Sequence, residues 1–370
     1  MQNISNTKGN ISTSNKKVFV GMSGGVDSSV SAYLLKEQGF DVTGVFIKVW
    51  QPDETDCGWK DERRDAMRVA AALDIPFVTI DLSEVYKKEV ADYMIKEYSL
   101  GRTPNPDIMC NRYVKFGSFW EYAKAHGAAY IATGHYAIRK QGKVVYEMHE
   151  GNDTNKDQTY FLWTLTERDL EHVLFPVGHL EKPKVREIAQ KANLPVFKKK
   201  DSQGVCFIGH LDMKEFLKQY ISTKEGLVLD IHGKTIGTHE GAILYTLGER
   251  HGFVVHNKSN NAKVKYVVSK DIEANTITVA DDEEYKEVFD NESNLISRLE
   301  SVTLASDVQG NEIRCEARIR YRQERQACTL QKNPDGSHSV TFDTPQKGMS
   351  KGQSAVFYSG TRCIGGGILM

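Results

Sequence analysis

The sequence predicts an α/β unit on a parallel sheet, then a small α+β or β unit, then a C-terminal β-barrel. Three observations carry this reading. The first half alternates apolar runs with stretches of helical periodicity, the signature of βαβ units. Near Leu211 the pattern changes to short alternating strands. From Leu295 onward only strands and turns are legible. A chain of 370 residues is also long for a single core, so two or three domains are expected.

The elements follow in order. Residues 1–16 are rich in Asn, Ser, Thr and Lys and read as a disordered tail. Apolar runs at 18–21, 42–49, 77–80 and 130–133 read as strands, separated by helical stretches such as 62–73 and 116–126. Ligands of parallel sheets sit beyond the strand carboxyl ends. The turns after Gly21 and Thr133 are therefore expected to open onto one cleft. Residues 212–221 read as a helix, and 226–236 as two short strands around a His232-Gly233 turn. Strands are expected again at 265–268 and 276–280, and the acidic run 281–294 reads as a linker. Asn333-Pro334-Asp335-Gly336 is a turn between two strands of the last unit. The expected units are thus 17–210, 211–285 and 290–370.

Net charge is −1, so a nucleic-acid partner would have to be met by local basic patches rather than a global field. No apolar run reaches membrane-spanning length and no signal segment is legible, so a soluble, cytoplasmic protein without a membrane partner is expected. None of the six cysteines forms a C-x-x-C pair, which argues against a zinc ribbon or a dithiol redox motif. Cys315, Cys328 and Cys363 lie in strand-like runs and are expected to be small buried apolar residues. Cys57 has no legible role.

Chemistry is concentrated in three segments. The run Val18-Phe19-Val20 enters Gly21-Met22-Ser23-Gly24-Gly25-Val26-Asp27-Ser28, and a helical pattern leaves it. Glycines that admit a close anion, hydroxyl donors and a helix N-terminus together suit a phosphate. No Lys follows the glycines, so the loop is not of the G-x-x-x-x-G-K-[ST] type. Asn105-Pro106-Asp107-Ile108-Met109-Cys110-Asn111 places a carboxylate three residues before a thiol. If Asp107 begins a helix, Cys110 lies one turn in, where the dipole favours a thiolate. Asp107 is then either a helix cap or a proton-handling group. Cys206 follows Lys198-Lys199-Lys200-Asp201 and a Gly-containing loop, a positive setting that suits both a thiolate and an RNA backbone. A packed core cysteine beside a solvated turn fits either thiol segment as well. Arg318, Arg320 and Arg322 alternate with Ile319 and Tyr321, so on a strand the arginines would form a ridge, extended by Arg314 and Arg325. A charged edge strand has the same pattern.

The Ser-Gly-Gly-Val-Asp-Ser string resembles the pyrophosphate loop of the ATP pyrophosphatase superfamily. Asn-Pro-Asp-x-x-Cys-Asn, Thr-Gly-His-Tyr-Ala, Lys-Asp-Gln-x-Tyr-Phe-Leu and Asp-Ser-x-Gly-x-Cys-Phe-Ile-Gly follow it in order. Together, from about Lys17 to the C-terminus, they resemble the tRNA-specific 2-thiouridylases. The resemblance implies an adenine nucleotide alpha-hydrolase-like first domain and ATP-dependent 2-thiolation of the wobble uridine of tRNA. It implies that Gly21, Met22, Ser23, Gly24, Gly25, Val26, Asp27 and Ser28 hold ATP phosphates, with Ile47 and Gly134 at the nucleoside and Mg2+ with the leaving pyrophosphate. Cys206 would carry a persulfide, with Cys110 as its partner nucleophile and a disulfide between them as a product. Asn105, Pro106 and Asp107 would meet the target base. His135, Lys156, Asp157, Gln158, Arg320, Tyr321 and Gln353 would meet the tRNA. The implied partners are the wobble-uridine tRNAs for Lys, Glu and Gln and a persulfide donor, either a cysteine desulfurase or a sulfur-relay protein. An adenylating amide ligase, a non-catalytic RNA-binding protein and an iron–sulfur variant using Cys110, Cys206 and one other thiol are the competing readings.

Overall fold

Strands β1 (Lys17–Gly21), β2 (Asp41–Lys48), β3 (Phe77–Asp81), β4 (Tyr130–Ala132) and β7 (Val173–Leu174) form one all-parallel sheet. Its order is β3-β2-β1-β4-β7. The computed structural model describes residues 16–52, 58–201, 212–256, 263–289 and 295–370. Residues 1–15 of the predicted tail 1–16, Cys57 and Cys206 lie outside the described residues.

Both faces of the sheet are covered, as a parallel sheet requires. Phe19, Val45, Ile47 and Ile131 point into one core cluster, while Val18, Val20, Phe46 and Ala132 point into the other. Chain connections run outward from β1 in both directions, to β2 and β3 on one side and to β4 and β7 on the other. The gap between the carboxyl ends of β1 and β4 is therefore the switch point where such sheets bind ligands. Helix α1 (Val26–Glu37) starts at that gap and α2 (Gly58–Ala72) lies beside it.

The stretch expected to become helical at 116 begins earlier. Helix Pro106–Met109 runs into a π-helical segment Cys110–Ser118 and then helix Phe119–Ala125. Asn105 is the N-cap, its Oδ1 accepting from Ile108 N at 3.4 Å, and Pro106 opens the first turn. The cap is thus Asn105 and not Asp107, which leaves the Asp107 carboxylate to face elsewhere.

Hairpin β5 (Ala137–Gln141) and β6 (Tyr146–Glu150) leaves this unit, and β6 pairs with the last strand of the chain. The middle unit is a five-stranded sheet of β8 (Gly226–Leu229), β9 (Thr235–His239), β10 (Phe253–Val255), β11 (Tyr266–Asp271) and β12 (Thr276–Ala280). The run expected to be a linker contains helix Asp282–Phe289. Three acidic residues in its first turn complement the helix dipole, and Tyr285 packs on buried Phe289 with ring centroids 4.6 Å apart.

The last unit is a closed barrel. Strands β13 (Ile296–Leu304), β14 (Glu312–Arg318), β15 (Gln326–Lys332), β16 (His338–Phe342), β17 (Ser354–Ser359) and β18 (Arg362–Leu369) run in the order β13-β16-β15-β14-β17-β18. Pairing of β13 with β18 closes it, which removes the free edges. Cys315, Cys328 and Cys363 are buried in this unit, as expected, with the Cys315 and Cys328 sulfurs 3.7 Å apart.

The predicted arginine ridge does not form. Strand β14 ends at Arg318, because Ile319 N donates to Gln323 Oε1 at 2.9 Å and the chain turns. Arg318, its side chain 15% exposed, bridges Glu150 at 2.9 Å and Asp157 at 3.1 Å. Arg320 donates to the carbonyls of Leu247 at 2.5 Å and Gly348 at 2.9 Å, tying the middle unit to the barrel. Arg325 pairs with Glu150 and Glu316, and Arg314 with Asp343. Arg318→Met would remove the cation that faces buried Asp157 and part-buried Glu150, so it is expected to destabilise the fold by about 3 kcal/mol. Denaturant midpoints check this. A loss under about 0.5 kcal/mol, typical of exposed pairs, would contradict it.

Candidate active site

A cavity of about 520 Å³ opens at the switch point. The turns after β1 and β4 both line it, and so do the helix that starts at Pro106 and a turn of the barrel.

On the β1 side, Gly24 adopts φ +74° and a Cβ there would collide with the Glu62 carbonyl, so only glycine fits. Gly25 caps α1 without any side-chain acceptor on the helix N–H groups. An N-terminus left uncapped in this way is open to an anion. Ser28 and Ser29 Oγ both donate to Gly25 O, at 3.3 and 2.7 Å. Gly134 lies directly against this turn, where a Cβ would come within 2.6 Å of Ser28 N. Of the residues expected to hold the nucleotide, all but Gly24 line the cavity, including Ile47 and Gly134.

Asp27 accepts from Tyr136 OH at 2.8 Å and from Lys182 Nζ at 2.6 Å. Lys182, at the start of helix Lys182–Lys191, also reaches Asp201 at 2.8 Å. Asp201 further accepts from Lys156 at 2.6 Å and Arg186 at 2.6 Å. Burial pushes the Asp201 carboxyl up, but the Lys156 and Lys182 hydrogen bonds outweigh it and hold the group at about 2. The glycine turn lacks a lysine of its own, and this network supplies a buried one from 155 residues away. Sequence reading missed Lys182, since only the fold brings it to Asp27. It also missed Glu62, a cavity residue whose carboxyl burial holds above its ordinary range against the pull of Lys199.

On the helix side, Asp107, Asn111 and Lys115 all line the cavity, four residues apart. That spacing puts them on one helical face. Cys110 is not among the residues lining the cavity and is fully buried in the apolar core. Asn105 and Pro106 do not line the cavity.

The residues expected at RNA divide. His135, Lys156, Gln158 and Tyr321 line the cavity. Asp157 does not: it is 3% exposed and accepts from Gly151 N, Thr159 and Arg318, which places it inside the hairpin–barrel junction. Arg320 is engaged between two units as described. Gln353 Nε2 donates to Thr103 O at 3.3 Å, just ahead of the Asn105 cap. Tyr321 and Arg322 reach the cavity from the barrel, Arg322 with φ +64°, and the Tyr321 ring sits 4.5 Å from Phe161.

His135 is enclosed, with Nδ1 2.8 Å from Thr133 Oγ1. Burial, helped by Lys115, holds its pKa well below 6.5, so the ring is neutral. A depressed histidine contributes stability that is complete above its unfolded pKa and is lost as pH falls toward the folded one. Wild type is therefore expected to lose more stability than His135→Gln between pH 7 and about 5. Parallel losses in chemical denaturation at the two pH values would contradict this.

Residues 16–210 match the family described as tRNA methyl transferase HUP domain. Residues 214–281 match a tRNA methyl transferase PRC-barrel domain, and 294–369 an aminomethyltransferase beta-barrel domain. The chain is 44% identical to the tRNA-specific 2-thiouridylase MnmA of Francisella tularensis subsp. holarctica strain LVS, over 96% of this chain and 99% of that protein. The same figures hold for the protein of that name from Francisella tularensis subsp. novicida strain U112. A solved U34-tRNA thiolase, NcsA from Methanococcus maripaludis with its [4Fe-4S] cluster, is 16% identical with a TM-score of 0.36, covering 58% of this chain and 67% of that one.

Proposed function

The chain belongs to the tRNA-specific 2-thiouridylase family, and from that premise we propose how its cavity performs the reaction. The protein is an ATP-dependent transferase that replaces oxygen by sulfur at carbon 2 of the wobble uridine of tRNA. The observation that carries the assignment of the site is one cavity shared by the phosphate turn, the Cys110 helix and the Tyr321 turn of the barrel.

A uracil carbonyl is amide-like, and its oxygen leaves poorly. The turn 21–28 and the N-terminus of α1 hold the ATP phosphates, with Ile47 and Gly134 at the nucleoside. Uracil O2 attacks the α-phosphorus, the bond to the β-phosphate oxygen breaks, and pyrophosphate departs. Oxygen 2 is now bonded to AMP, a good leaving group. Lys182, bonded to Asp27, places positive charge beside the turn where the phosphates lie.

Sulfur comes from a persulfide on Cys206. In one order Cys110 attacks the Cys206 sulfur, a disulfide forms, and the released sulfide adds to carbon 2. In the other the persulfide attacks first and Cys110 resolves it. Either way AMP leaves, and a two-electron reductant reopens the disulfide. Asp107, on the cavity face of the same helix, handles a proton at the base.

Mg2+ fits the site, since Asp27 stands at the cavity as a part-exposed carboxylate and Mg2+ takes one or two carboxylates beside phosphates. When bound it neutralises charge on the pyrophosphate. His135, Lys156, Gln158 and Tyr321 guide the tRNA; the substrates are the tRNAs for Lys, Glu and Gln, and a cysteine desulfurase or sulfur-relay protein is the donor.

Nucleoside mass spectrometry of unmodified tRNA incubated with the protein, ATP, Mg2+ and a persulfide source tests this. ATP-dependent exchange of one oxygen for sulfur at the wobble position is expected. AMP release without that exchange would assign another acceptor.

A further inference from the structure

We propose that Asn111 selects the base to be thiolated by accepting a hydrogen bond from N3–H of uracil. The inference rests on the reading of the cavity as the site of base thiolation, and it adds the residue that discriminates among bases there.

Asn111 directly follows Cys110 and is 2% exposed, yet it lines the cavity. Its Nδ2 donates to the Phe161 carbonyl at 3.0 Å. That bond fixes the orientation of the amide, because the flipped form would set two acceptor oxygens against each other. Oδ1 is thereby committed as an acceptor, and it has no hydrogen-bond partner among the described residues. A buried acceptor left without a donor is costly, and Asn111 belongs to the lining of the cavity, so a ligand held there can bring the donor.

The neighbours indicate which ligand. Asn111 lies on the stripe with Asp107, on a different element from the glycine turn, and its amide is held by the backbone of Phe161, whose ring meets Tyr321. Flat aromatic surface beside a lone acceptor suits a base. On the pairing edge of uracil, N3–H is the one donor, and it adjoins the reacting carbon 2. Cytosine presents an acceptor at the same place, so two acceptors would face each other there. A site built to bond one N–H rejects a base lacking it much more strongly than a site that only fits its shape. Placing this acceptor one residue from Cys110 also couples recognition to the position of the carbon under attack.

The test compares two anticodon stem-loops, one with uridine at the wobble position and one with 3-deazauridine, which carries C–H in place of N3–H. Wild type should prefer uridine in kcat/KM for thiolation by about 30-fold or more. Asn111→Ala should lower the uridine reaction, leave the 3-deazauridine reaction nearly unchanged, and so bring the ratio near one. The intrinsic reactivity of the analogue is the same for both proteins and cancels in the comparison. A structural role alone would lower both reactions together and keep the ratio, which would overturn the proposal. A changed KM for ATP with an unchanged ratio would overturn it too, by assigning Asn111 to the nucleotide. If Asn111→Ala does not fold, Asn111→Ser serves, with the ratio falling between the two. Wild-type protein that thiolates uridine but takes both stem-loops equally refutes the inference without any variant. Failure to thiolate uridine itself would instead count against the function proposed above.

Discussion

Cys110→Ser is expected to leave tRNA-dependent pyrophosphate release close to the wild-type rate and to reduce thiolation by at least about 10³-fold. The end of the cavity proposed to hold the nucleotide is built from β1, α1 and the turn after β4, none of which contains Cys110. Adenylation of the base therefore does not need the thiol. In the proposed mechanism sulfur transfer does, in either order of steps, since Cys110 is there the group that breaks the sulfur–sulfur bond. Serine differs from cysteine by one atom, and the site is fully buried, so the fold should tolerate the change at a cost of about 1–3 kcal/mol for the enclosed hydroxyl. Cys363→Ser, also buried but in the barrel, is the control for that cost and should keep thiolating. Pyrophosphate and thiolated nucleoside measured on the same samples separate the two half-reactions. Normal thiolation by Cys110→Ser would remove the thiol from the mechanism.

Gly134→Ala should have an effect of comparable consequence at the other half-reaction. The added Cβ would stand 2.6 Å from Ser28 N and 2.8 Å from the Asp27 carbonyl carbon, and both are backbone atoms of the first turn of α1. Nothing flexible can yield there. The turn must move away from β4 by the better part of an ångström, carrying its N–H groups out of line with the phosphates. Misplacement on that scale costs about 10²-fold in turnover. Gly58→Ala provides the contrast, because a Cβ there meets nothing within 4 Å. ATP titration and pyrophosphate release should show loss in the first variant and near wild-type values in the second. Equal behaviour of the two would contradict the packing argument.

What could be read from the sequence was local. The strand–turn–helix around Gly24 and Gly25 is written in adjacent residues, and its chemistry follows from backbone freedom and a helix dipole. The parallel sheet was legible because its strands are continuous apolar runs between periodic helices. Pairings between distant segments were not. Lys182 meets Asp27 only because α1 packs against the helix Lys182 begins, and nothing near either residue signals that contact. Hairpin β5–β6 reads as part of the first unit but completes its hydrogen bonds on β18. The alternating arginines were misread for a related reason. Alternation describes a strand only while the ladder continues, and the Gln323 side chain ends it at Ile319. The arginines after that point face three different environments, which no periodicity encodes. The Asp107 cap failed on competition, since Asn105 two residues earlier is as good a cap and is followed by proline.

The central claim is that oxygen 2 of the wobble uracil is adenylated and leaves on AMP. An anticodon stem-loop carrying ¹⁸O at that single oxygen, thiolated with ATP and a persulfide source, tests it through the mass of the AMP formed. Heavy AMP in an amount equal to the thiolated uridine is the predicted result. Unlabelled AMP beside a thiolated base, with the label recovered in water, would contradict the account.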